Sequence, residues 1–171
     1  MRHLRFAAVA LLVTGACKRA RDAAVDTSVP DLGFRTTSVR LITRAETITI
    51  RTELASDTAQ RTMGLMERRS LADSAGMLFL YDTPQPKDAA FWMFRTRIPL
   101  DIAYLDSAGV IRNIVAMEPC TAELAQGCPT YPARVPFRAA LEVNKGYFQR
   151  HGVAVGDRIA LEDTAGGRPA R

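Results

Sequence analysis

The sequence has very few of the residues on which most catalytic and metal sites depend. Its 171 residues include only two histidines, three cysteines and one tryptophan. Past the first sixteen residues, His151 is the only histidine. Nucleophilic catalysis with a histidine base and zinc sites with about three ligands therefore find little support. No Gly-x-Ser-x-Gly elbow, phosphate-binding loop or dinucleotide fingerprint occurs either, and we expect no metal and no cofactor.

Long apolar runs are also missing. The longest near the start, residues 6–13, is too short to cross a bilayer. Two arginines precede it and Thr14-Gly15-Ala16 follow it, which predicts a cleavable signal peptide over residues 1–16. Because Cys17 comes next, the segment resembles a bacterial lipoprotein signal. That resemblance implies lipidation of Cys17 and anchoring on the periplasmic side of the cell envelope; the alternative is an ordinary secretory signal.

Polar segments flank the part of the sequence that can form a core. We interpret residues 17–38 as the lipidated cysteine with a flexible tether, 39–162 as one globular domain, and 163–171 as a disordered tail. Removal of the signal lowers the net charge from +5 to +3. The remaining arginines are scattered and lack interleaved aromatics, so we expect no nucleic-acid partner. The remaining expected partners are a membrane, contacted through the lipid, and a small-molecule ligand or a partner protein.

The two cysteines left in the domain are Cys120 and Cys128. In an exported chain such a pair favours a disulfide. The alternative is a two-thiol metal or redox site, but the spacing matches neither a zinc pair nor a Cys-x-x-Cys motif. We therefore predict a structural disulfide.

Alternating apolar residues and turn signals predict an α+β domain. Its sheet should be mostly antiparallel and curled or barrel-like, with about seven short strands and two short helices. The helices are expected at Thr58 to Glu67, after the N-cap pair Ser56-Asp57, and at Tyr147 to His151, capped by Asn144. The strands are expected at two segments within 39–54 and at 76–81, 100–105, 110–117, 137–143 and 157–162.

The densest aromatic and apolar stretch covers residues 91–106 and contains the only tryptophan. Such a stretch should dominate the core. Because side chains alternate along a strand, we expect Trp92 or Met93, or both, to point inward. Asp101 follows Pro99 and should be held by an arginine or by backbone donors.

Ordered motifs across the domain resemble an uncharacterised family known as domain of unknown function 192. The resemblance covers about residues 39–162 and implies a fold-level identity without a reaction. The motifs are Arg61-x-x-Gly64-Leu65-Met66-x-Arg68, Gly76-Met77-Leu78-Phe79, Phe91-Trp92-Met93, Thr96-x-Ile98-Pro99-Leu100-Asp101-Ile102, Ala140-Leu141-Glu142-Val143-Asn144-x-Gly146 and Gly156-Asp157.

Three carboxylates, Asp101, Glu142 and Asp157, lie in or beside apolar strands. Two of them in one pocket could act as general acid and base, which would suit an enzyme acting on an envelope glycan. Alternatively, each pairs with an arginine or with backbone N–H groups. The sequence does not decide whether they converge.

Five methionines allow a further alternative, a Cu(I) site, since thioethers suit that ion. They occupy apolar periodic positions, however, where methionine commonly fills cores. The set comprises Met63, Met66, Met77, Met93 and Met117.

A non-catalytic, envelope-tethered binding or interaction module is therefore the favoured function. Its ligand should bind near Trp92, Thr96, Asp101 and Glu142, with Asp157 as a further candidate.

Overall fold

The computed structural model describes residues 32–162. The predicted signal peptide, Cys17 with the tether up to residue 31, and the tail at 163–171 lie outside the described residues. Between residues 32 and 162, no helix has the length and apolar character needed to cross a membrane.

Nine strands and two short α-helices make up the described chain. A single 3-10 turn, Ala125–Gly127, lies between the sixth and seventh strands. The elements are β1 Arg35–Ile42, β2 Thr47–Ala55, α1 Thr58–Met63, β3 Ala75–Gln85, β4 Ala90–Trp92, β5 Leu100–Leu105, β6 Ile111–Met117, β7 Thr130–Pro132, β8 Phe137–Asn144, α2 Tyr147–Arg150 and β9 Arg158–Leu161.

Seven strands form one sheet in the order β6-β5-β8-β3-β2-β1-β9, and β4 pairs with β7 in a separate two-stranded sheet. Neighbouring strands are antiparallel except β2 and β3, which are parallel. The sheet curls until its two edges meet, because Val110 bridges Arg158 and the Ile111 N–H donates to the Asp157 carbonyl at 2.8 Å. The predicted α+β class with a curled, mostly antiparallel sheet is confirmed.

Buried apolar side chains form two clusters, and alternation along the strands assigns one to each face of the sheet. Leu141 and Val143 of β8 belong to the first cluster, which Tyr147 and Phe148 of α2 cover. Ala140 of the same strand belongs to the second, which Met93 and other residues of the β4–β7 side cover. Because both faces are covered, the central strands β5 and β8 are largely apolar, and Asp101 and Glu142 are the acidic residues within them.

Helix α1 begins as predicted but ends earlier. Asp57 is the N-cap and forms a capping box with Gln60. The helix stops at Met63, short of the predicted Glu67, because Gly64 takes up a positive φ of 48°. A Cβ on Gly64 would lie 3.3 Å from the Phe79 ring, so this glycine allows the end of α1 to approach β3 closely.

The cap of α2 differs from the prediction. The N-cap residue is Gly146, with no side-chain cap, and the Asn144 amide instead donates to the carbonyls of Leu71 and Ala72. Gly146 has a φ of 79°, which favours glycine and explains the helix start at that point.

Strand boundaries differ at two places. Strand β1 begins at Arg35, ahead of the predicted domain start at residue 39. Strand β3 extends to Gln85, beyond the predicted end at residue 81. A register shift between Leu80 and Gln85 accommodates Pro84 within the strand, since a bulge tolerates a residue without an N–H.

Candidate functional site

A cleft of about 280 Å³ opens between α1, the turn that follows it, and the strands β3, β4 and β8. It lies on the face of the sheet that the second apolar cluster covers. Aromatic side chains form much of its wall and a single acidic side chain lies within it. The side chains that define it are Arg61, Phe79, Tyr81, Phe91, Trp92, Thr96 and Glu142.

Glu142 is the buried polar group of the cleft. It lies on the central strand β8, between Met77 of β3 and Ile102 of β5, which are both fully buried. Only 4% of Glu142 is exposed. Within residues 32–162, no side chain or backbone group forms a hydrogen bond with its carboxyl group, and no side-chain oxygen or nitrogen there is both fully buried and unpaired, so the carboxyl oxygens open onto the cleft. Burial raises the pKa of Glu142 to about 8, so the neutral acid predominates at pH 7.

The aromatic wall is held by edge-to-face contacts. The Phe79 and Phe91 rings are 5.0 Å apart and nearly perpendicular, and Phe91 meets Tyr104 at 5.8 Å. Trp92 follows Phe91 on β4 and is 41% exposed, so it forms the rim. Met93, next in sequence, is 1% exposed. The prediction that at least one of Trp92 and Met93 points inward is confirmed by Met93.

Arg61 reaches the cleft from α1 and is held in place by backbone acceptors. Its Nη1 donates to the Ser56 carbonyl at 2.6 Å and to the Leu80 carbonyl at 3.0 Å. The guanidinium also lies over the Tyr81 ring, 5.0 Å from the centroid, in cation–π geometry. Burial raises the pKa of Tyr81, with an opposing contribution from Arg61, so the Tyr81 hydroxyl stays protonated.

Thr96 closes the cleft beside the predicted disulfide, which the structure contains between Cys120 and Cys128. The Cys120 N–H donates to the Thr96 carbonyl at 3.3 Å. Thr96 is buried, and its hydroxyl lies 3.5 Å from the Phe94 carbonyl, at the limit of a hydrogen bond. The disulfide loop therefore positions this wall of the cleft.

An ion-pair cluster joins the turn after α1 to the segment that carries Thr96. The Glu67 carboxylate accepts from Arg95 Nε at 2.7 Å and from Arg97 Nε at 2.7 Å, and the Glu67 N–H donates to the Arg95 carbonyl at 2.8 Å. The hydrogen bond and charge of Arg97, followed by those of Arg95, lower the pKa of Glu67. The two sides of the cleft are thus connected outside it.

The other two candidate carboxylates lie elsewhere. Asp101 faces α2, where its Oδ2 accepts from the Gly146 N–H at 2.8 Å, and it packs on the opposite face of the sheet from Glu142. Asp157 accepts from the Ala154 N–H at 2.8 Å and lines a separate surface depression with His151. Of the five predicted ligand residues, the structure brings Trp92, Thr96 and Glu142 together and leaves Asp101 and Asp157 apart.

The methionines divide between core and cleft. Met77, Met93 and Met117 are fully buried among apolar residues. Met63 and Met66 line the cleft. Residues 32–162 contain no group of three or more His, Cys, Asp and Glu side chains that could hold a metal ion.

Sequence reasoning missed the part played by Arg61, Tyr81 and Phe91 in the cleft. Arg61 lay in a recognised motif, but its contact with Tyr81 at the cleft was not predicted. The signal that could have found Arg61 is its place in the helix turn before Gly64, since that glycine lets α1 approach Phe79.

Comparisons with known proteins place these observations in a family. The family model described as DUF192, Uncharacterized ACR, matches residues 40–161. A crystal structure described as that of a candidate transcription regulator from Sinorhizobium meliloti 1021 is 37% identical, with a TM-score of 0.66, over 75% of this chain and 95% of that one. A protein of unknown function from Novosphingobium aromaticivorans DSM 12444 is 33% identical, with a TM-score of 0.68, over 81% and 94%. No curated protein matches at a significant level.

Proposed function

This chain belongs to the DUF192 family, and we propose that it is a non-catalytic, envelope-tethered binding module that takes a small ligand into the cleft between α1 and β4. One observation carries the proposal. Glu142 is 4% exposed, its carboxyl group opens onto an aromatic cleft, and this group has no hydrogen-bond partner among the described residues, where no side-chain oxygen or nitrogen is both fully buried and unpaired. A bound ligand would supply the missing partner.

Binding is favoured over catalysis by the number of acids in the cleft. Glycoside hydrolysis generally uses two carboxyl groups that flank the scissile bond. Among residues 32–162, Glu142 is the only acidic side chain that lines this cleft. With Asp101 behind the sheet and Asp157 in another depression, no second acid is in place to complete such a pair.

Tethering to the envelope is proposed from the start of the sequence. A short apolar segment, small residues and Cys17 follow one another as in lipoprotein signals, and polar residues separate Cys17 from β1. An exported, anchored domain would meet ligands of the cell envelope or of the periplasm.

The proposal is tested by equilibrium binding to the mature lipidated chain in mild detergent. Trp92 is the only tryptophan, so its fluorescence reports on the rim of the cleft. Probes of four classes are added: neutral oligosaccharides, free amino acids, short peptides and choline. We expect at least one class to shift the emission of the parent protein and of the control Asp157→Asn, and to leave Glu142→Leu unchanged. If no class shifts the emission, or if all three proteins respond alike, the cleft is not the ligand site.

A carboxylate-dependent enzyme is the second candidate. The observation in its favour is the neutral Glu142, because an acid with a pKa near the working pH suits general-acid catalysis. This candidate predicts that Glu142→Gln binds an envelope glycan without cleaving it, while the parent protein releases new reducing or anhydro ends. Release of equal amounts by the parent and by Glu142→Gln would exclude it.

A further inference from the structure

We infer that the ligand of the cleft is an uncharged saccharide, held with one ring face against the aromatic wall and with a ring or hydroxyl oxygen bonded to the carboxyl group of Glu142. This inference deepens the proposed function and rests on it.

The protonation of Glu142 determines which hydrogen bonds a ligand can form with it. Because burial keeps the group neutral at pH 7, it has one O–H donor and free acceptor positions. A neutral carboxyl group can therefore donate to one oxygen of a ligand and accept from a neighbouring hydroxyl. Vicinal hydroxyls of a sugar ring present that combination.

The charges around Glu142 favour a neutral ligand. Arg61 is the charged basic group in the cleft, and no other acid lines it within residues 32–162. A cationic ligand would meet the Arg61 guanidinium and a carboxyl group that must first lose its proton. A neutral ligand meets neither cost, since it leaves the protonation of Glu142 unchanged.

The shape and the aromatic character of the cleft wall suit a sugar ring. Phe79 and Phe91 are fixed edge to face, and Trp92 exposes 41% of its surface at the rim. Aromatic faces of this kind pack against the apolar C–H face of a sugar, while the ring hydroxyls remain free for polar groups. Thr96 and the Tyr81 hydroxyl supply further polar positions in the same cleft.

The pH should affect ligand binding through Glu142. The titratable groups that interact with Glu142 are Tyr81 on β3 and Tyr104 on β5, and Arg61 on α1 lines the same cleft. Burial raises the pKa of Tyr81, and it raises the pKa of Tyr104 far above pH 9. Between pH 6 and 9, Glu142 is the group among these that changes charge, so binding that needs its proton should weaken through that interval.

The experiment compares an uncharged probe, the trimer of N-acetylglucosamine, with the permanently cationic choline. Binding to the mature chain in detergent is followed by Trp92 fluorescence and by titration calorimetry. We expect the trimer to bind, and to bind about tenfold more weakly at pH 9 than at pH 7, as follows for a required proton with a pKa of about 8. Melting curves at both pH values show whether the protein remains folded.

Two variants separate the donor role from the negative charge. Glu142→Gln keeps an N–H donor and an oxygen acceptor in the same place, so it should bind the trimer within about threefold of the parent protein and lose the pH dependence. Glu142→Leu should lose at least tenfold in affinity. The matched control Asp101→Asn, on the other face of the sheet, should keep both the affinity and the pH dependence of the parent.

A cationic ligand would be indicated if choline bound more tightly than the trimer, if its binding strengthened toward pH 9, and if Glu142→Gln abolished that binding. This result would overturn the inference. If the trimer fails while peptides or amino acids still shift the Trp92 emission, the inference fails and the proposed binding function stands. If no probe class binds, both fail.

Discussion

Asp101 and Glu142 lie on the neighbouring strands β5 and β8 but project from opposite faces of the sheet. Glu142 pairs with Ile102, whereas Asp101 pairs with Val143. Directly paired residues share a face, so the one-residue offset places Asp101 beside α2 and Glu142 in the cleft. The two carboxyl groups therefore cannot share a proton or a substrate, and each can be altered without the other.

The stability of the protein should depend on pH through Glu142. Burial raises the pKa of Glu142 from an ordinary 4.5 to about 8. Between these values the folded state holds a proton that the unfolded chain has released, so stability falls as the pH rises. Glu142→Gln should remove this contribution and should be more stable than the parent at pH 8, by up to about 5 kcal/mol.

Urea unfolding at intervals from pH 5 to 8 measures this difference. The exposed Glu123→Gln is the matched control and should follow the parent protein at every pH. A constant difference between Glu142→Gln and the parent across that range would show that Glu142 is ionised in the folded protein.

Asp101 should tolerate loss of its charge better than loss of its oxygen. Burial raises the pKa of Asp101, although the backbone donors of Gly146 and Phe148 and the charge of Lys145 lower it. Asp101→Asn keeps an acceptor for the Gly146 N–H and should cost less than about 1 kcal/mol. Asp101→Ala leaves that N–H without its acceptor, at the start of α2, and should cost about 1–3 kcal/mol. Thermal unfolding of the two variants measures this difference. Equal losses of stability would show that the charge of Asp101, and not its acceptor oxygen, stabilises the fold.

The disulfide should contribute to stability without being required for folding. A loop as short as that between Cys120 and Cys128 is worth about 2–3 kcal/mol on the chain-entropy model, while the two apolar clusters supply most of the stability. Reduction should therefore lower the melting temperature and leave a cooperative transition. The double variant Cys120→Ser/Cys128→Ser should melt at the temperature of the reduced parent and should not respond to reductant. An unchanged melting temperature on reduction would contradict the prediction.

Local patterns were sufficient to predict much of the fold. The β5–β6 hairpin follows from two apolar segments joined by a turn at residues 106–109, and alternation in β2 marks a half-buried strand. The curled sheet follows from the number of short strands. The cap of α2 did not follow, because the positive φ of Gly146 and its contact with Asp101 depend on a residue far away in the sequence.

The site could be predicted only in part, for the same reason. Trp92, Thr96 and Glu142 stood out as residues that do not suit their apolar surroundings or that lie in aromatic stretches. The separation of Asp101 from Glu142 depends on the register between β5 and β8, which no local pattern fixes. Similarly, Arg61 of α1 meets Tyr81 and the Leu80 carbonyl of β3, and no local pattern predicts a contact between these two elements.

Lipidation of Cys17 should decide where the protein is found. If acyl chains are attached, the parent protein should sediment with membranes, since each buried methylene adds about 0.8 kcal/mol to membrane binding. Cys17→Ser should be soluble or should remain unprocessed with its signal attached. Fractionation of cells that express each form, followed by mass determination of the mature N-terminus, makes the comparison. Equal partitioning of the two forms would exclude the anchor.

Trp92 and Met93 are adjacent, but they should differ sharply in their effect on stability. The dense aromatic stretch suggested a tryptophan in the core, whereas β4 lies at the surface and leaves Trp92 41% exposed. Trp92→Ala should therefore lower the free energy of unfolding by about 1 kcal/mol or less. It should also abolish ligand binding in the cleft, as measured by titration calorimetry. Met93 is 1% exposed within the second apolar cluster, so Met93→Ala should cost about 2–5 kcal/mol through the cavity it leaves. Urea unfolding followed by circular dichroism, which does not need the tryptophan, compares the two variants. A loss for Trp92→Ala as large as that for Met93→Ala would mean that the indole supports the core and that the rim of the cleft lies elsewhere.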